Sequence, residues 1–180
     1  MLKAAATKDD DAAAVRRIEA AVKAGLRLAQ QAGKAEPGLR DAIWEVLLEA
    51  AETLRRLPDR ERGWLTAASR AHWPDYVRET AAICGGSMAA GARSGPRPAP
   101  AGAAAIERLD TVLLWLPQAG GAHPRRDVSV LFGLACGARA AALQRRLGCG
   151  RRTIYDIRDR SLARICARLR QQSDFCRGLG

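Results

Sequence analysis

The chain of 180 residues is 48% hydrophobic and carries a formal net charge of +11 at pH 7. This length and composition suffice for one ordinary domain or two small helical ones, and they exclude a chain too polar to bury a core. No apolar run approaches the roughly 18 residues that span a bilayer, and the polar, acidic start lacks a signal-peptide core, so we expect a cytoplasmic protein with no membrane partner.

Two amphipathic helices are predicted in the first third of the chain. The first runs from Ala12 to Gln31 behind three aspartates that favour a helix start, and the second runs from about Leu39 to Leu57, where Pro58 ends it. We assign residues 1–84 to an N-terminal helical module for assembly or partner contact, through which the chain would form a homo-oligomer or bind RNA polymerase. The alternative for the first helix is that it packs on its own domain.

The end of this module is rich in aromatic residues, namely Trp64, Trp73 and Tyr76. They either form the core of a small helical unit or remain exposed to stack on bases or anchor a partner. Glycine, alanine and proline then dominate residues 85–105, GGSMAAGARSGPRPAPAGAAA, which are predicted to be a flexible linker.

Residues 106–172 are predicted to form a four-helix domain, with a tail at 173–180. An apolar stripe from Ile106 stops at Pro117, and another apolar helix spans Arg125 to Cys136. From His123 onward the chain contains thirteen arginines, no lysine and four carboxylates, so this region holds +9 of the total charge. Such a field attracts a polyanion.

The last two helices of this domain have the spacing of a helix-turn-helix. Leu143 and Leu147 lie four residues apart, Gly148 follows as the turn residue, and Ile154 and Ile157 begin the inner stripe of the second helix. The outer face of that second helix, residues 151–170, is rich in arginine, which grips phosphate and forks onto guanine in the major groove.

The run from Val128 to Leu169 resembles the helix-turn-helix of sigma-factor region 4. The elements in order are VSVLFGLAC, Gly137, LQRRLG and Arg152-Thr153-Ile154. Over residues 40–170 the order of motifs also resembles an uncharacterised family of phage and bacterial helix-turn-helix proteins of unknown function. Both resemblances imply an all-α fold and double-stranded DNA as the partner.

We therefore predict a sequence-specific DNA-binding protein, a transcriptional regulator of phage-related genes, that inserts its last helix into the major groove. Asp156 and Asp159 are interpreted either as contacts that tune specificity or as intrahelical partners of Arg152 and Arg160. The predicted contacts with base edges are Arg151, Arg152, Thr153, Tyr155, Asp156 and Arg160, and those with flanking phosphates are Arg145, Arg146 and Arg158.

Two alternatives keep the same helix pair. One is a recognition subunit for phage-type DNA packaging, which would form a ring. The other is a module like sigma region 4 that docks on a transcription complex and has no affinity for naked DNA. A third alternative involves no DNA. The two helices would be an ordinary amphipathic pair, and their arginines would only form a solvated surface.

The sequence gives no sign of catalysis or of a metal site. It lacks a Walker loop and the G-x-G-x-x-G, H-E-x-x-H and G-x-S-x-G motifs, so we predict neither an enzyme nor a cofactor. The five cysteines show no C-x-x-C spacing and the two histidines are isolated, so no metal is expected. Cys136, Cys149 and Cys166 are interpreted as small core residues in a reducing cytosol.

Overall fold

A computed structural model describes residues 6–57 and 99–172, and the account below concerns these residues. The described chain is all-α, which confirms the predicted fold class, and a short 3-10 helix, Leu116–Ala119, follows the third α-helix. The six helices are α1 (Ala6–Gln31), α2 (Leu39–Arg56), α3 (Ala103–Trp115), α4 (Pro124–Ala135), α5 (Ala140–Leu147) and α6 (Arg151–Gln172).

Local chemistry explains where these helices begin and end. The backbone N–H of Gly38 donates to the Asp41 carboxylate at 3.1 Å, which caps the start of α2. At the other end Leu57 leaves the helical conformation just before Pro58. Helix α3 begins at Ala103, three residues earlier than predicted, because alanine has the highest helix propensity. The linker assigned to 85–105 therefore loses its last three residues to α3, and residues 85–98 lie outside the described part, as do Trp64, Trp73 and Tyr76.

One hydrophobic core joins the N-terminal helices to the C-terminal ones. Ile43 and Leu47 of α2 pack in the same buried cluster as Trp115, Phe132 and Ile165. Within the described residues, α1 and α2 therefore share one core with the C-terminal helices. The physical reason is that α2 is apolar over a broad arc, so it packs against α1 on one side and against α3, α4 and α6 on others.

A bidentate ion pair reinforces the contact between α2 and α3. Arg108 donates from Nε to one carboxylate oxygen of Glu49 at 2.7 Å and from a terminal nitrogen to the other at 2.6 Å. This hydrogen bonding raises the pKa of Arg108. Parallel N–H···O bonds of this kind fix geometry, so they orient α3 on α2 in a defined register.

None of the helices in the described ranges combines the length and the apolar character that a membrane span requires.

Candidate nucleic-acid interface

The turn between α5 and α6 has the backbone conformation that the sequence predicts. Gly148 adopts the left-handed conformation, with φ 63° and ψ 30°, and its N–H donates to the carbonyl of Gln144 at 2.8 Å. Glycine tolerates this region because it has no Cβ. Helix α6 starts three residues later, when the N–H of Ile154 donates to the carbonyl of Gly150 at 3.2 Å. The predicted turn residue is confirmed.

A small apolar cluster packs between α4 and the inner faces of α5 and α6. Val130 of α4, Leu143 of α5, and Ile154 and Ile157 of α6 are all buried there, and Cys149 packs against them. This cluster is separate from the main core. The inner positions predicted for Leu143, Ile154 and Ile157 are confirmed, and apolar packing holds the first half of α6 on its inner side.

The outward face of α6 carries Arg152, Asp156 and Arg160, which are exposed and lie four residues apart. The Nε of Arg160 donates to the backbone carbonyl of Asp156 at 3.2 Å, and not to its carboxylate. Among the described residues Arg152 has no ion-pair or hydrogen-bond partner. The predicted intrahelical pairs of Arg152 and Arg160 with the carboxylates of Asp156 and Asp159 do not form, and both arginine side chains are exposed.

A second strip of α6 carries Arg151, Tyr155 and Arg158, and it faces α2. The guanidinium of Arg158 lies 5.3 Å from the ring centroid of Tyr155 and 5.6 Å from that of Trp44, while that of Arg151 lies 6.0 Å from Tyr155. Of the three, Arg151 is exposed, whereas Tyr155 and Arg158 are half-buried. The three residues share one surface, which packs partly on α2 and is distinct from the outward face.

Asp159 connects this strip to the start of α2. Its carboxylate accepts from Arg158 at 2.7 to 2.8 Å and from Arg40 of α2 at 2.7 Å. Burial acts to raise the pKa of Asp159, but the hydrogen bonds from the two arginines outweigh it and leave the pKa below its usual range. Asp159 is therefore a bridge between two arginines from distant parts of the chain.

The remaining predicted site residues lie at the edges of the helix pair. Arg145 and Arg146 are exposed in the last turn of α5, where their charge favours the negative end of the helix dipole. Thr153 is half-buried in the first turn of α6. Arg139 precedes α5 without a side-chain capping bond and is exposed. The exposed arginines thus surround the turn on both helices.

The second half of α6 contains an arginine with a different role. Arg164 donates to the buried carboxylate of Asp127 at 2.9 Å and to the carbonyl of Ala119 at 3.0 Å. The N–H of Gly121 donates to the same Asp127 carboxylate at 3.1 Å, and a Cβ on this glycine would lie 2.3 Å from the guanidinium. These contacts lock α6 onto the loop before α4.

The sequence alone does not point to Arg40, Trp44 or the pairing of Asp127 with Arg164. No local pattern signals them, because each partner lies on another element. Their positions follow from how the helices pack in the shared core.

The sulfur chemistry differs in part from expectation. Cys149 and Cys166 are free thiols, and burial raises the pKa of Cys166, as suits a small core residue. Cys136 is disulfide-bonded, so the expectation of a reduced thiol at this position is wrong. Within the described residues no three side chains of histidine, cysteine, aspartate or glutamate gather as a possible metal site.

No protein-family model matches this sequence, and no curated protein or solved structure matches it.

Proposed function

We propose that this protein binds double-stranded DNA, with the first half of α6 in the major groove and α5 across the adjacent backbone. The observation that carries the proposal is the outward face of α6, where Arg152 and Arg160 are exposed beside Asp156. Exposed guanidiniums on a helix of this size suit a groove about 12 Å wide that displays guanine acceptors.

The support beneath this face also favours DNA. Apolar contacts from Leu143 and Ile154 hold α5 and α6 together on the inner side, so the outer side chains are presented from a packed scaffold. Nearby, the exposed Arg145 and Arg146 extend the positive charge onto α5. A cationic surface at the end of two packed helices would attract phosphates and orient a duplex.

The predicted roles can now be divided by surface. Arg152, Thr153, Asp156 and Arg160 stay our candidates for base edges, with Arg145 and Arg146 on phosphates. Arg151 and Tyr155 lie on the second strip, where they would meet the groove wall on the α2 side. The stack of Arg158 on Trp44 favours a positioning role for Arg158 over a phosphate contact.

At the level of biology we propose a transcriptional regulator, with the sequence specificity that base-edge contacts provide. The test is selection of bound sequences from a random duplex library at near-physiological salt, with the intact chain and an Arg151→Ala/Arg152→Ala double variant in parallel. We expect a motif with the intact chain and none with the double variant.

Other outcomes of this selection separate the alternatives. DNA binding without a motif would contradict the regulator and favour a packaging subunit, which sedimentation should then reveal as a ring. No DNA binding, together with binding to RNA polymerase, would contradict the whole proposal and favour a docking module.

A further inference from the structure

The start of α2 lies beside the middle of α6, close to the outward face. Asp159, which Arg40 contacts at 2.7 Å, is seven residues from Arg152 and three from Asp156. Residues with these spacings lie on the same side of an α-helix. Arg40 therefore brings a cation from α2 onto the surface that we propose for DNA.

Asp159 and the two guanidiniums that bond it carry a net charge of +1 between them, whereas the neighbouring Lys34 pairs with Asp41. The one carboxylate of Asp159 is shared by two guanidiniums, those of Arg40 and Arg158. Arg158 is held between Trp44 and Tyr155 and is 31% exposed at its side chain, whereas the side chain of Arg40 is 52% exposed. Arg40 is thus the member of the pair that solvent, or a phosphate, can reach.

The geometry also gives Arg40 donors to spare. A guanidinium has five N–H donors, and among the described residues Arg40 engages one carboxylate through one terminal nitrogen. The contact lies about 12 Å along the axis of α6 from its first residue, at a rise of about 1.5 Å per residue. This distance is comparable to the width of the major groove, about 12 Å. With the start of α6 in the groove, the DNA backbone that borders the groove would therefore pass near Arg40.

We infer that Arg40, at the start of α2, is a DNA phosphate contact that extends the binding surface of α6 from the N-terminal part of the chain. The inference rests on the proposed DNA-binding function and adds a residue that lies outside the helix pair. Asp159 positions the Arg40 side chain beside the duplex. When DNA binds, Arg40 would donate some of its N–H groups to the phosphate in place of Asp159.

The experiment compares single substitutions of the full chain on a random-sequence duplex across a series of salt concentrations. Arg40→Ala should weaken binding and reduce the slope of log K against log salt by about 0.9, the value for one phosphate contact. Arg40→Lys should keep the slope, because lysine supplies the same point charge to phosphate. Arg56→Ala is the matched control, since it removes one arginine from the far end of the same helix, and its slope should not change.

Asp159→Asn separates contact from positioning. If Arg40 binds phosphate, this change removes a nearby negative charge and frees the guanidinium, so affinity should rise about two- to fivefold. If Arg40 only positions α6 through Asp159, then Asp159→Asn should weaken binding as much as Arg40→Ala, and the salt slope should stay constant. That result would overturn the inference.

The two proposals fail in different ways. If Arg145→Ala, at a proposed phosphate contact, weakens binding and lowers the salt slope while Arg40→Ala changes neither, the DNA-binding function stands and the role of Arg40 is wrong. If the intact chain does not bind the duplex at all, both proposals are wrong.

Discussion

The two halves of α6 contain the same residue type in opposite roles. In the first half, Arg152 is exposed and has no protein partner within the described residues, whereas in the second half Arg164 bonds the buried carboxylate of Asp127 and the carbonyl of Ala119. The difference shows that arginine content alone does not define a binding surface. The second half of α6, which we call the anchoring half, is bonded to the loop before α4. The first half, which we call the presenting half, exposes Arg152 and Arg160 to solvent.

The largest expected effect tests the anchoring half. Arg164→Met should leave the Asp127 carboxylate buried without its main partner, and we expect a loss of about 3 kcal/mol in the free energy of unfolding. Urea denaturation measures it. Arg168→Met is the control one turn later, because Arg168 is exposed and, within residues 6–57 and 99–172, hydrogen-bonds only Gln171, at 3.3 Å. It should stay within about 0.5 kcal/mol of the native chain. Equal losses for both would show that α6 is not anchored through Asp127.

The reverse pattern is expected in the presenting half. Arg152→Ala should leave the free energy of unfolding within about 0.5 kcal/mol, because the side chain is exposed, and should weaken binding to the selected duplex by about 1 to 3 kcal/mol. Thermal unfolding and fluorescence anisotropy with labelled duplexes measure the two quantities. An equal loss on selected and random DNA would assign Arg152 to phosphate and not to a base.

A smaller loss of stability is expected from Gly121, which lies against the Arg164–Asp127 ion pair. Gly121→Ala would place a Cβ against the guanidinium of Arg164 and displace it from Asp127, at a cost of about 1 to 2 kcal/mol. In an Arg164→Met background the same change should cost much less, since the guanidinium is absent. Additive losses in this double-mutant cycle would mean that Gly121 acts through backbone strain and not through Arg164.

The smallest effect concerns Asp159, at the border of the two halves. Because its pKa is below the usual value near 3.9, the ion pair contributes stability above that pH and loses it as the pH falls through the lower native value. Its side chain is 42% exposed, so the contribution should stay below about 1 kcal/mol. Asp159→Asn should therefore be slightly less stable than the native chain near pH 6, and the difference should shrink as the pH falls below the ordinary aspartate value toward the lower native pKa. A difference that persists at acid pH would point to packing and not to charge.

Sequence periodicity predicts local features well in this chain. The spacing from Leu143 to Ile157 predicted the helix pair, its inner positions and the left-handed turn at Gly148, because each depends on residues within one or two turns. The bounds of α2 likewise followed from Leu39 and Pro58.

Contacts between distant elements could not be predicted in this way. Arg158 and Arg152 look equivalent along the sequence, and only the approach of Trp44 from α2 separates them. The same holds for Arg164, whose partner Asp127 lies 37 residues earlier. The position of α2 depends on packing in the shared core, and the charge pattern of α6 does not predict that position.

The shared core also has a consequence for the order of events during synthesis. Ile43 and Leu47 are buried in the same cluster as Ile165 and Leu169, more than one hundred residues later in the chain. At about 5 to 20 residues per second, a ribosome needs roughly 5 to 20 s to supply the C-terminal partners after α2 has emerged. During that interval the described partners of α2 arrive in order, first α3, then α4 and last α6, so part of its apolar face stays uncovered by them and the nascent chain should be a chaperone substrate until α6 arrives.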